Sequence, residues 1–212
     1  MAERLYDPNI EVSSLFSRAW EVFKAHMWPT VAVFVIYSLL TSSGSFWGGD
    51  RGLGKLIIFI ITGPIAAGTY MYALQLIRGG DPDIGEMFGG FREFGRAVGV
   101  FALYAVMIVV GFVFLIVPGI FLAVAFMPAI FLVLDDNLNI MDTLRKAWAM
   151  TEGVRGRIFL VLLAVVGLNL LGLLAFLIGV IFTGALSLLI VAAVYDELAR
   201  AYDMNLDYET AL

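Results

Sequence analysis

"AVGVFALYAVMIVVGFVFLIVPGIFLAVAFMPAIFLVL", residues 97 to 134, contains no Asp, Glu, Lys, Arg or His. As one helix these 38 residues would extend about 57 Å, nearly twice a ~30 Å hydrocarbon core. The segment must therefore cross a membrane twice. Val117-Pro118-Gly119 near its middle marks the expected turn, because proline breaks a continuous helix. A second uncharged run, Ile158 to Tyr195, is also 38 residues long and has Gly179 as the corresponding break. Upstream, Met27 to Phe46 and Leu56 to Ile77 are two further apolar segments of spanning length, joined by the glycine-rich, charged "WGGDRGLGK". The expected fold is an all-α integral membrane protein with six transmembrane helices.

Composition agrees. The 212-residue chain is 61% hydrophobic and only 15% charged, against roughly 25% charged in soluble domains. Its charges cluster at segment ends, so the net charge of −5 describes flanks rather than a solvated surface. There is no cysteine, which excludes disulfides and thiolate chemistry. A cleaved signal peptide is not expected, since Glu3, Arg4, Asp7 and Glu11 crowd the start. Basic residues fix the expected orientation. Arg4, Arg18, Lys24, Arg78, Arg92, Arg96, Arg145, Lys146, Arg155, Arg157 and Arg200 fall on one side, and only Arg51 and Lys55 on the other. By the positive-inside bias both termini are cytoplasmic.

Three stretches before the expected crossings share a pattern. In "SSLFSRAWEVFKAHMWP", Val12, Leu15, Phe16, Ala19, Trp20 and Phe23 recur at helical spacing, with Arg18, Glu21 and Lys24 on the other face. "DIGEMFGGFREF" repeats it with Ile84, Met87, Phe88, Phe91 and Phe94, and Asp83 and Glu86 have capping-box spacing. "DTLRKAWAMTEGVRGRIFL" has the stripe Ile140, Leu144, Ala147 and Trp148, with Asn139 and Asp142 placed to cap. The expectation is one membrane domain, 1–212, of three hairpins. Each is preceded by a cytoplasmic amphipathic interfacial helix, in repeat units of about 11–77, 83–134 and 139–198 with a tail at 199–212.

"ITGPIAAG", "DIGEMFGGF", "VPGIFLAVAFMPAIFLVLDD", the basic Ala-Trp helix ending in "MTEG" and the closing "AAVYDEL" together resemble the glycerophosphodiester-phosphodiesterase membrane-domain and YciC-like family of bacterial integral membrane proteins. The resemblance spans about Leu15 to Leu198. It implies a six-helix bacterial inner-membrane protein without the soluble phosphodiesterase domain found in some members.

Chemistry is sparse. "GDRGLGKL" approximates a phosphate-binding loop, but Leu56 stands where the magnesium-binding hydroxyl belongs and no strand precedes it. Asp135, Asn137 and Asn139 have calcium-loop spacing, yet Ile140 replaces the required glycine and Lys146 the bidentate glutamate. His26 is the only histidine, which excludes multi-histidine metal sites, and no nucleophile motif is present. No cofactor or metal is expected, and nothing suggests nucleic acid as a partner. An enzyme would need a cytoplasmic cluster such as Asp135, Asp136 and Glu152.

The residues expected at lipid headgroups are Arg18, Trp20, Lys24, Trp28, Arg92, Arg96, Arg145, Lys146, Trp148, Arg155 and Arg157. Those expected to pack helices or shape a groove are Gly63, Pro64, Gly68, Pro118, Gly119, Pro128, Asn169 and Gly179, with Asn169 read as interhelical glue. The leading expectation is a non-enzymatic inner-membrane protein. It would engage anionic lipid headgroups, a membrane partner or another copy of itself, in envelope homeostasis or assembly. A carrier or channel for an uncharged or amphipathic solute is the alternative.

Overall fold

The computed structural model describes residues 7, 8, 10–47, 52–114, 116–136 and 138–211. Arg4, the loop residues Gly48 to Arg51 and Asn137 of the calcium-loop spacing lie outside them. The described chain is helical throughout, without strands. Its elements are α1 (Val12–Ala25), α2 (Met27–Trp47), α3 (Gly52–Ile77), a 3-10 helix (Ile84–Glu93), α4 (Phe94–Phe114), α5 (Ile116–Phe126), α6 (Ala129–Asp135), α7 (Ile140–Thr151), α8 (Arg155–Leu174) and α9 (Phe176–Ala211).

Five stretches are each long and apolar enough to cross a membrane: Ile58–Ile77, Ile84–Val113, Val117–Asp135, Arg155–Leu174 and Gly179–Asp207. α1 and α2 qualify only as a pair, bent by 99° at His26. These are the helices of a multi-pass membrane protein. α3 and α9 form the buried centre, whereas α4 and α8 present most of their apolar side chains outward, Val113 and Leu174 among them. An apolar residue facing outward is the normal state of a helix whose solvent is lipid rather than water.

Four boundaries differ from the sequence reading. Val117-Pro118-Gly119 is not the turn, because α5 already starts at Ile116 and Pro118 lies in its first turn. Proline is tolerated there, since first-turn N–H groups have no intrahelical acceptor. Gly179 is likewise inside α9, and the chain reverses at Ala175, whose N–H closes α8 on Leu171 and Gly172. The expected tail at 199–212 does not separate from the last crossing, because α9 continues without a break to Ala211. Finally, "DIGEMFGGFREF" is a 3-10 helix, and the Asp83 side chain makes no cap hydrogen bond.

The 3-10 geometry has a physical cause. Gly85, Gly89 and Gly90 weaken α-helix propensity, and the segment is pressed against α3 at Gly68 and Gly90. A β-carbon on Gly68 would overlap the Met87 carbonyl oxygen, and one on Gly90 would overlap that of Pro64. Two backbones meet without intervening side chains. With three residues per turn, positions i and i+3 eclipse, so Met87 and Gly90 face inward together. Phe88, Phe91 and Phe94 form an outward ladder with centroids 6.5 and 6.3 Å apart.

Glycine serves the same purpose at other crossings. Gly63 lies against Ala97 and Phe101 of α4, with 3.0 Å left for a β-carbon. Gly111 meets Gly119 where α4 and α5 cross, and Gly172 meets Gly179 where α8 and α9 cross. Pro128 separates α5 from α6 and its carbonyl accepts from the N–H of Phe131 and Leu132, so the apolar stretch Val117–Asp135 is two short helices in sequence.

Candidate functional site

At the charged end of the bundle, one ion network joins four elements that are distant in sequence. Asp196 of α9 is 1% exposed and receives three arginines: Arg18 Nη2 of α1 at 2.6 Å, Arg78 Nε at 3.1 Å and Arg200 Nη2 at 2.8 Å. Arg78, the first residue after α3, also holds Asp135 at the end of α6 by two parallel bonds of 2.7 and 2.8 Å. Tyr195 donates to the same carboxylate at 2.8 Å, and its ring lies flat on Phe131 at 4.5 Å. Arg18 adds a 3.2 Å pair to Glu197 and a 3.0 Å bond to the Ile77 carbonyl. Three arginines therefore face three carboxylates. Hydrogen bonding to Asp135 holds the Arg78 guanidinium above its ordinary value and outweighs the opposing effect of burial.

This network has the chemistry of a clamp. Both oxygens of Asp196 and of Asp135 are taken by guanidinium groups, and the Tyr195 hydroxyl donates to Asp135. Among the described residues no three His, Asp or Glu side chains form a metal-binding group. Asp135 and Asp136, which an enzyme reading would need, are bound to Arg78 and to Lys146 at 2.7 Å. No family model, curated protein or solved structure matches this chain.

The residues expected at lipid headgroups divide into two sets. Four bind other groups of the chain: Arg18 as above; Arg96 to Glu93 at 3.0 Å and to the Leu138 carbonyl at 3.0 Å; Lys146 to Asp136 and over the Tyr202 ring at 5.1 Å; and, at the surface, Arg157 to Asp7 and the Pro8 carbonyl. Long basic side chains at helix ends find carboxylates as readily as water, and here the bundle supplies them. Seven face outward or half outward. Trp28 is 71% exposed in the first turn of α2, Trp20 lies stacked on Phe23 at 5.9 Å, and Lys24 pairs with Glu21 at 2.8 Å. Arg92 is exposed on the 3-10 helix. Arg145 is 77% exposed beside Asp142, and Arg155 lies on the Trp148 ring at 3.8 Å.

Asn139 caps α7 as its position suggests, accepting from the Asp142 N–H at 2.9 Å. Asn169 of α8 donates to Ser187 at 2.7 Å and accepts from Thr183 at 3.2 Å, both on α9. It is used as a bond between helices.

The clamp joins residues that the sequence keeps far apart. A signal was present: Arg78, Asp135 and Asp196 each stand at the end of the uncharged part of a crossing, in "LQLIRGG", "FLVLDDN" and "AAVYDEL". Opposite charges at the ends of three apolar helices are the pattern that pairs them.

Proposed function

We propose that this chain is a non-enzymatic multi-pass protein of the bacterial inner membrane, with both termini cytoplasmic. In this reading its three pre-crossing segments lie at the interface and engage phospholipid headgroups or a membrane partner in envelope assembly or homeostasis. One observation carries the reading: exposed aromatic rings gather on α1, the start of α2, the 3-10 helix and α7, beside Lys24, Arg92, Arg145 and Arg155. Tryptophan and basic residues combine in this way where one end of a side chain is apolar and the other wet. The 99° bend at His26 supports it, since α1 runs across the direction of α2. The motif resemblance to the YciC-like family points the same way.

A depth measurement tests the interface. Vesicles are prepared with a variant retaining only Trp28 of the four tryptophans. A nitroxide near the lipid headgroup is expected to quench Trp28 at least twofold more than one near the end of the acyl chain. Stronger quenching from the deep label would place the ring inside the hydrocarbon and remove the interfacial reading.

Orientation is tested separately. The chain has no cysteine of its own, so single cysteines report cleanly. Gly90 cannot carry one because it abuts the Pro64 carbonyl, whereas the Asp81 side chain is 91% exposed in the same connection. In intact cells an impermeant maleimide is expected to label Gly49→Cys and leave Asp81→Cys unlabelled until the membrane is opened. Labelling of Asp81→Cys in intact cells would reverse the orientation.

A further inference from the structure

The corner where α7 ends, α8 begins and α5 passes carries a more specific arrangement than a basic, aromatic surface. Arg155, the first residue of α8, folds back over α7: its Nη2 donates to the Trp148 carbonyl at 3.2 Å and its Nε to the Thr151 hydroxyl at 3.3 Å. Its guanidinium lies 3.8 Å from the Trp148 ring centroid and 4.8 Å from that of Phe121. Thr151 is fully buried and donates to the Ala125 carbonyl at 3.1 Å, which ties this corner to α5. The Arg155 cation is therefore held in a fixed place between two rings that remain about two-fifths exposed, Trp148 at 38% and Phe121 at 43%.

The outward stripe of α7 leads into this place. Arg145, Trp148 and Glu152 are exposed at positions i, i+3 and i+7, the spacing of one helix face. Glu152 ends the helix before Gly153, whose φ of +78° reverses the chain. Glu152 makes no ion pair among the described residues, and Asp142 reaches Arg145 only at 3.5 Å between two exposed side chains. Beyond Arg155, Phe159 and Leu163 continue along α8 at four-residue steps with apolar exposed side chains, and α5 is in contact with α8.

We infer that this corner binds a zwitterionic aminophospholipid, with its phosphodiester on Arg145 and Arg155, its ammonium on Glu152, and an acyl chain along Phe121, Phe159 and Leu163. The assignment rests on the headgroup reading above and commits it to one lipid chemistry. Charge decides the choice. Arg145, Arg155 and Glu152 lie about Trp148, so a headgroup with net negative charge would satisfy the arginines while facing Glu152. A headgroup carrying both phosphate and a primary ammonium satisfies both signs, and its N–H groups donate to a carboxylate in a way that a quaternary choline cannot. Placing the phosphate at a stacked arginine also supplies the planar, multi-donor contact that guanidinium groups make with phosphate oxygens.

The full chain is incorporated into vesicles of equal phosphatidylethanolamine, phosphatidylglycerol and phosphatidylcholine, re-extracted in mild detergent, and its retained lipids are quantified by mass spectrometry. Wild type is expected to retain phosphatidylethanolamine at least threefold over either competitor. Glu152→Gln, at an exposed position, should abolish that preference while leaving total phospholipid unchanged, and Arg145→Gln should lower the phosphatidylethanolamine retained by about half. Circular dichroism and elution volume confirm that both variants are folded. Retention at the vesicle ratio, enrichment of phosphatidylglycerol, or a Glu152→Gln preference equal to wild type would overturn the assignment and leave the general headgroup reading standing. If the wild type retains no more phospholipid than an Arg92, Arg145 and Lys24 triple Gln variant, the headgroup reading itself fails.

Discussion

Replacing Asp196 with alanine is expected to destabilise the protein by about 3 kcal/mol, the lower end of what breaking a buried ion pair from one side costs. The carboxylate is 1% exposed, so its own removal loses no contact with water, but Arg18, Arg78 and Arg200 then face one another around an empty position. The three guanidinium groups are 27%, 37% and 53% exposed, and water reaching them keeps the cost from going higher. Asp196→Asn should lie between alanine and wild type, since the amide oxygen still accepts a hydrogen bond. Equilibrium unfolding in mixed micelles provides the measurement. Glu21→Gln is the control, because the Glu21–Lys24 pair is 67% and 49% exposed and such surface pairs are worth less than about 0.5 kcal/mol. A loss below 1 kcal/mol for Asp196→Ala would show that the arginines find other partners and that the network does not hold the hairpins together.

That network also marks where reading the sequence stops. The uncharged runs were legible because about 20 apolar residues per crossing is a requirement of bilayer thickness, and nothing in tertiary packing relaxes it. Asn139 as a cap and Asn169 as a cross-helix bond were legible because each is satisfied by residues close in sequence or one hairpin away: Asp142, Thr183 and Ser187. The partners of the basic residues are another matter. Arg78 and Asp135 are 57 positions apart, Arg18 and Asp196 178. A count of lysines and arginines shows on which flank a charge stands and is silent about what it touches. Four of the residues assigned to lipid consequently make their bonds within the protein: Arg18 to Asp196, Arg96 to the Leu138 carbonyl, Lys146 to Asp136 and Arg157 to Asp7.

The turns failed for a local reason. Proline and glycine suggest breaks at Val117-Pro118-Gly119 and Gly179, but proline is excluded only where its missing N–H would have had an acceptor. Glycine in a membrane helix more often permits close approach than ends the helix. Both residues lie one turn past the reversal, where the two arms of each hairpin meet: Gly119 on Gly111 and Gly179 on Gly172. The 3-10 helix escaped for a related reason. Over ten residues, periods of 3.0 and 3.6 place most apolar positions on overlapping arcs, and only the backbone contact at Gly68 and Gly90 separates the two.

That contact supports the other large effect. Gly68→Ala and Gly90→Ala are each expected to cost about 2 to 3 kcal/mol, the range for forcing an extra carbon into a packed interior. The overlap is with a carbonyl oxygen of the opposing backbone, Met87 in one case and Pro64 in the other, so no side chain can rotate away. At Gly68 the strain must also outweigh the gain of up to about 1 kcal/mol that alanine brings to a helix interior. Gly167 provides the comparison. It lies within α8 with no atom within 4 Å of its would-be β-carbon, so Gly167→Ala should be neutral or stabilise by as much as about 1 kcal/mol. The same substitution is thus expected to change sign between α3 and α8. Because the 3-10 helix carries Phe88, Phe91 and Phe94 on its outward side, pushing it from α3 should also displace that ladder, and phenylalanine introduced there as tryptophan would report a changed depth in vesicles. If Gly68→Ala and Gly167→Ala unfold at the same denaturant fraction in mixed micelles, the backbone contact is not tight in the membrane and the 3-10 segment is free to lift from the bundle.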